Sequence, residues 1–307
     1  MILAVTPNAA LDITYEVDEL VPHQSHRVTA VRQRAGGKGV NVASVLARMG
    51  HPVMATGLVG GAAGNEIRAD LEARGVVARF VDGGGNSRRT VNVVSAVHGD
   101  ATIFNEPGPE LTGPGWQSLV AGLDSLLGEV AATVVVLSGS LPPGLPDDAY
   151  AELVDVGHAH EARVIVDADG AALRGALRSG PELVVPNRAE LARATGAQDL
   201  AVATAALREL GARNVLVSCG ADGLVLMPEE GSGWHARLPA PLSGNPTGAG
   251  DALVAALAAG LVGGSTWQQM ARDAVTWSAA AVLQPIAGEI DPADVARLAR
   301  QVLMEVR

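Results

Sequence analysis

Short apolar runs alternate along the chain with longer stretches rich in alanine and leucine. Ile2–Val5, Val53–Thr56, Val134–Leu137, Val164–Val166, Leu183–Val185 and Val215–Val217 are unbroken apolar segments of strand length. Runs of that kind, separated by helix-length segments, predict strands buried on both faces, and the alternation predicts βαβ units around a mostly parallel sheet. Ligands on such a sheet bind at the carboxyl ends of the strands. Asp12, Ser138, Asp167, Asn187 and Ser218 all lie just beyond apolar runs. Two stretches break the alternation. Ile13–Arg34 and Arg88–Phe104 read as strands of period two, with Arg88, Thr90 and Asn92 on one face and Val91 and Val93 on the other. Inserted at the ligand end of an α/β core, they predict a lid. Gly83-Gly84-Gly85-Asn86 reads as the turn into that lid, since no helix follows it. No linker, repeat or low-complexity tract interrupts the chain, so the expectation is a single domain over 1–307 with lid strands at about 13–34 and 88–104.

Two glycine-rich strings carry candidate chemistry. Gly244-Asn245-Pro246-Thr247-Gly248-Ala249-Gly250-Asp251 opens the long apolar helix that starts at Ala252. The first N–H groups of a helix lack intrahelical partners and sit at the positive end of its dipole, and glycines let a phosphate approach them. An aspartate beside such an anion hole is disfavoured when the anion is bound, unless its task is to take a proton from an attacking hydroxyl. Asp251 is therefore the expected base, with the N–H groups of Gly248, Ala249 and Gly250 as the hole. In the second string, Ala35-Gly36-Gly37-Lys38-Gly39-Val40-Asn41, a glycine turn again feeds an amphipathic helix. Lys38 is the only lysine among 22 basic residues. A compact ammonium on a flexible stem suits a phosphate inside a turn too tight for the planar Arg fork.

With these two strings the chain resembles the ribokinase-like (PfkB) carbohydrate kinases, in their 1-phosphofructokinase and tagatose-6-phosphate kinase branch. Five further strings fall in family order: Val5-Thr6-Pro7-Asn8-Ala9-Ala10-Leu11-Asp12, Asn105-Glu106-Pro107-Gly108-Pro109-Glu110, Ser138-Gly139-Ser140-Leu141-Pro142-Pro143-Gly144, Pro186-Asn187-Arg188-Ala189-Glu190-Leu191 and Ser218-Cys219-Gly220-Ala221-Asp222-Gly223. The resemblance covers nearly the whole chain. It implies a three-layer α/β/α core with a β-sheet lid, and ATP-dependent phosphorylation of a phosphorylated ketohexose such as fructose 1-phosphate or tagatose 6-phosphate. It further implies substrate contacts from Asp12, Gly36, Gly37, Lys38, Asn41, Arg88 and Ser138. Nucleotide contacts come from Asn187, Ser218, Gly220 and Gly223, and Glu190 organises Mg²⁺. The family leaves room for a monovalent cation such as K⁺ and for a homodimer clasped through the lid. Arg88 aligns best with the family's lid arginine, although a shift of one residue would select Arg89 and flip the side chain to the other face. The chain departs from the branch at three places: Val185 stands where Lys precedes Pro-Asn, Pro246 where Ser or Thr is commoner, and Thr90 where Asn follows the lid arginine.

Composition narrows the partners. A net charge of −11 disfavours nucleic acid and anionic membranes, so a phosphorylated substrate must be drawn in locally. No apolar run reaches the roughly 20 residues of a membrane span, and no basic leader precedes the first strand. One cysteine, Cys219, precludes a disulfide within the chain and fits the cytoplasm. A nucleotide-binding oxidoreductase would need Gly-x-Gly-x-x-Gly after the first strand, and Thr6–Ala10 contains no glycine. The intact Asp251 and its glycine string argue against a non-catalytic sugar-phosphate sensor; a fructose 6-phosphate kinase is an alternative, and so is a kinase of unphosphorylated sugars, because other ribokinase-like enzymes also carry Gly-Gly-Lys-Gly.

Overall fold

A computed structural model describes residues 1–97 and 101–307. In chain order the elements begin β1 (Ile2–Thr6), β2 (Ala10–Val17), β3 (Ala30–Gly36), α1 (Lys38–Arg48), β4 (Val53–Val59), α2 (Gly61–Ala73), β5 (Ala78–Asp82), β6 (Arg88–Ser95) and β7 (Ala101–Asn105). They continue through α3 (Gly113–Glu129), β8 (Val134–Ser138), α4 (Ala149–Ala159), β9 (Arg163–Asp167), α5 (Gly170–Ala176), β10 (Leu183–Val184), α6 (Arg188–Thr195), α7 (Leu200–Glu209) and β11 (Asn214–Ser218). The chain closes with β12 (Leu224–Met227), β13 (Trp234–Arg237), α8 (Ala249–Gly263), α9 (Trp267–Val282), α10 (Pro292–Leu298) and β14 (Leu303–Val306).

The large sheet runs β14-β13-β12-β11-β10-β9-β8-β1-β4-β5. From β11 to β5 every pairing is parallel; β12, β13 and β14 add on antiparallel. Alternate residues of each central strand enter opposite cores. Ile2, Ala4, Val134 and Val136 join the cluster that includes α1, α8 and α9, whereas Leu3, Val5, Val135 and Leu137 join the one built with α3, α4 and α7. That two-sided burial is why these strands read as unbroken apolar runs. α8 is apolar on all sides because it lies inside the first core, with Ala252 through Ala258 all buried.

The second sheet, β3-β2-β6-β7, is the lid. Leu11 and Ile13 plug one of its faces into the first core. The lid strands sit differently from their sequence expectation. β2 begins at Ala10, so Asp12 lies inside a lid strand and not at the tip of β1, and no strand occupies 18–29. The expected segment 88–104 passes through residues 98–100, which lie outside the described residues.

Candidate active site

Gly248 holds the head of α8 at φ 83°, left-handed backbone that a glycine adopts without strain, and a side chain there would collide with Ala287. Of the three expected anion-hole donors, Ala249 is already committed, its N–H donating to the Pro246 carbonyl at 3.2 Å. Among the described residues no protein acceptor faces the N–H of Gly248, Gly250 or Asp251. Asp251 itself is buried, and Asn41 Nδ2 donates to its Oδ2 at 2.8 Å. Burial, and next the charge of Asp167, push the Asp251 carboxyl up from 3.8 to about 7 against the opposing pull of Asn41 and Lys38.

Gly37 caps α1 with φ 102°, and the first turn of the helix, where residues three apart share a face, sends both Lys38 and Asn41 toward this point. Lys38 Nζ lies 2.9 Å from Asp167 Oδ1 and 3.7 Å from Glu190 Oε1. Burial alone would lower the ammonium's pKa, but Asp167 and Glu190 outweigh it and hold the lysine charged. Lys38 thus pairs with acids at the ends of β9 and α6, not with the lid. Ser138, expected at the sugar, is fully buried and donates to Asp167 Oδ2 at 3.2 Å, because parallel pairing sets Ser138 directly beside Asp167. A cleft of about 280 Å³ is lined here by Lys38, Asp167, Asn187, Glu190, Gly250 and Asp251, with Val185 and Ser218 on its wall.

Asn187 and Glu190 form a reciprocal capping box at the start of α6: Glu190 N–H donates to Asn187 Oδ1 at 2.9 Å and Asn187 N–H to Glu190 Oε2 at 2.8 Å. The same pair has a structural duty and presents Glu190 Oε1 to Lys38. Burial raises the Glu190 pKa and Lys38 counters it. Gly220 and Gly223 take positive φ in a turn closed by Cys219 N–H on the Gly223 carbonyl at 2.8 Å, outside the lining of the cleft. Arg188 turns outward to Cys219 and Asp222, away from the place where the branch has its lysine.

On the lid, Asp12 is paired in register with Arg34 on one side and Thr90 on the other. A side chain at Gly36 would overlap the Asp12 carboxylate, so the turn approaches this acid as closely as glycine allows. Burial raises Asp12 from 3.8 to about 6, opposed by a hydrogen bond from Thr90 and the charges of Arg88 and Arg34. The register also decides between the two lid arginines. Arg88 shares the Asp12 face and donates to the Asn8 carbonyl at 3.1 Å; Arg89 points to the opposite face, paired with Glu106 at 2.8 Å. Asp12 is near enough to Asp251 to raise its pKa.

Two contributors escape a reading of motifs. Asp167, which the sequence marked only as lying just beyond an apolar run, is the hub that joins Lys38 to Ser138. Arg34 lies in no motif; only the cross-strand pairing with Asp12 reveals it, and period-two alternation in β3 is the one trace it leaves in the sequence.

Among the described residues no three acids, histidines or cysteines converge on one point as a metal cage. Asp167 and Glu190 are the acids at the cleft's inner wall. A hydroxyl attacking a phosphoryl group needs a base at its proton and fixed dipoles at the developing charge, and the head of α8 offers both. The class of protein so defined is an ATP-dependent sugar kinase. The pfkB carbohydrate kinase pattern matches residues 5–294, and the chain belongs to that family. It is 38% identical to the 1-phosphofructokinase of Xanthomonas campestris pv. campestris, over 98% of this chain and 97% of that protein. It superposes on phosphofructokinase-2 of Escherichia coli in complex with potassium with a TM-score of 0.90 at 27% identity, covering 97% of this chain and 98% of that one. The same Escherichia coli enzyme in complex with fructose-6-phosphate gives 0.87 at 28% identity, with the same coverage.

Proposed function

We propose that this kinase phosphorylates a ketohexose that already carries a phosphate, fructose 1-phosphate or tagatose 6-phosphate, to the bisphosphate. The observation that carries the reading is Asp251, buried beside unpaired helix N–H groups with its carboxyl near neutrality. Asp251 takes the proton of the attacking primary hydroxyl as the new P–O bond forms and the bond to the ADP oxygen breaks. Asn41 fixes the carboxylate's orientation, and the N–H groups of Gly248 and Gly250 receive charge developing on the transferred group. Asp12 accepts hydrogen bonds from sugar hydroxyls, and Arg88, on the same lid face, meets the substrate's own phosphate. Lys38 keeps Asp167 and Glu190 neutralised and stands where the transferring phosphoryl group passes.

The donor chemistry of Asp167 and Glu190 fits Mg²⁺, which is held by one or two carboxylates, waters and phosphate oxygens; when bound, it neutralises charge on the nucleotide's phosphates. A monovalent cation such as K⁺ is proposed only from the potassium complex of the Escherichia coli relative. The exposed lid edges support a homodimer through the lid. A lone thiol and two charged, membrane-impermeant substrates favour the cytoplasm, and no helix among the described residues is long and apolar enough to cross a membrane.

Fructose 6-phosphate is the second reading, favoured by the likeness to the Escherichia coli enzyme bound to it. ADP release measured with each of the three phosphosugars and with free fructose separates these. One phosphoketohexose is expected to exceed free fructose at least tenfold in kcat/KM. Equal or better use of free fructose would remove the role given to Arg88, and no ADP release with any of them would remove the reading.

A further inference from the structure

Between α9 and α10 the chain makes a short loop, and three groups of the site lean on it. Ala287 packs against Gly248 at the head of α8 and Gly288 packs against Asn41, the residue that holds Asp251. Asn245, at the start of the anion loop, donates to the Pro285 carbonyl at 3.0 Å. The next residue, Glu289, reaches across to the lid: its Oε1 lies 2.6 Å from Arg34 Nη1, with the arginine side chain only 17% exposed. Arg34 stands opposite Asp12 in β3. Behind the pair, Arg74, just past the end of α2, bonds Asp70 at 3.0 Å and also the Ser44 hydroxyl of α1, while Asp70 accepts the Ala35 N–H at 3.0 Å. Two acid–arginine pairs therefore lie along one seam, Glu289 with Arg34 and Asp70 with Arg74, and the two arginines meet in its middle, where the charge of Arg34 lowers the Arg74 pKa. The seam fastens the root of a lid strand to both helices beneath it and to the loop that seats the anion hole.

We infer that Arg34 and Glu289 are a positioning pair that holds the 285–289 loop against the head of α8 and so keeps Asp251 and its N–H groups in catalytic register with the lid. The pair touches neither substrate. Its effect falls on kcat, because a displacement of about 1 Å at reacting groups costs up to 10²-fold in rate. The inference takes Asp251 as the base from the function proposed above; the pair's structural half stands apart from that.

Arg34→Met, Glu289→Gln and the double variant form a cycle that measures the coupling. Each single change is expected to lower kcat about tenfold with the sugar's KM within twofold. The double variant should lose no more than about tenfold, since the pair can be broken only once. A loss near hundredfold in the double variant means independent roles and overturns the inference. So does a rise in sugar KM for Arg34→Met alone, which would place the guanidinium on the substrate. Amide hydrogen exchange of the substrate-free protein gives the second readout: both single variants should exchange at least threefold faster over residues 248–251 and 285–289. Unchanged exchange overturns the pairing whatever the substrate proves to be, whereas faster exchange in a chain whose wild type phosphorylates none of the sugars would sustain the pairing and sink only the function.

Discussion

Two aspartates of the site, Asp251 in the cleft and Asp12 on the lid, are set to different tasks by their environments. Asp251 sits in the first turn of α8 with one neutral donor, and burial pushes it to about 7; Asp12 has Thr90 and two guanidinium groups around it and reaches only about 6. The nearer a base's pKa lies to the working pH, the better it serves, provided it is unprotonated when the hydroxyl arrives. kcat/KM is therefore expected to rise with pH and to level off above about 7. Stability runs the other way. Between about 4 and about 7 the folded protein holds a proton on Asp251 that the unfolded chain has released, so the stability contributed is complete below the unfolded value of 3.8 and is lost as pH rises through about 7. Asp251→Asn keeps the shape and never has to bury a charge. It should lose about 10²–10⁴ in kcat and yet melt higher than the wild type at pH 8. A variant retaining more than a third of kcat, or melting lower at pH 8, would contradict the assignment. The motif string was enough to find Asp251, whereas its pKa depends on Asp167 and Asn41, brought in from β9 and α1 by the tertiary fold.

Register makes the corresponding decision among elements. The period-two pattern of Arg88–Phe104 was legible in the sequence, but alternation says only that Arg88 and Arg89 oppose each other, not which one sees the cleft. Pairing of Ala10 with Arg88 and Asp12 with Thr90 puts Arg88 on the Asp12 face, and Glu106 then claims Arg89 on the far face. Arg88→Ala is expected to raise KM for a phosphorylated sugar by tenfold or more with KM for ATP within twofold, because a charge-assisted contact is lost on one side of the transfer. Arg89→Ala should leave both constants alone, since its exposed pair with Glu106 is of the kind worth little. The reverse pattern in steady-state kinetics would place the lid strand one residue out of step. The capping box at α6 shows the same limit differently. The sequence offered Asn187-x-x-Glu190 only as a nucleotide and Mg²⁺ motif, and the structure shows it to be a complete helix start as well, leaving one carboxylate oxygen toward Lys38.

For the molecule as a whole, the parallel strands buried on both faces announced themselves and the last strands at one end of the sheet did not. β1, β4, β8, β9, β10 and β11 are unbroken apolar runs; β13 and β14, Trp-His-Ala-Arg and Leu-Met-Glu-Val, are short and half exposed, and carry no such signal. The lid shares this edge character, with consequences for assembly. β7 is the outer strand of the lid and all five of its residues are exposed, Ile103 at 46% and Phe104 at 56%; at the other edge Val31 of β3 is 57% exposed. Open strand edges with apolar side chains are surfaces that proteins normally cover or charge. A second copy of the chain would cover them, which supports the proposed lid-to-lid dimer. Sedimentation at micromolar concentration should therefore give about twice the 31.2 kDa chain mass, and Ile103→Asp with Phe104→Asp should give the monomer. Because neither side chain belongs to the two buried cores, the double variant should keep its melting temperature within a few degrees when compared as monomers. A wild type that sediments as a monomer, or a charged edge that leaves the dimer intact, would show that the lid closes each site without a partner.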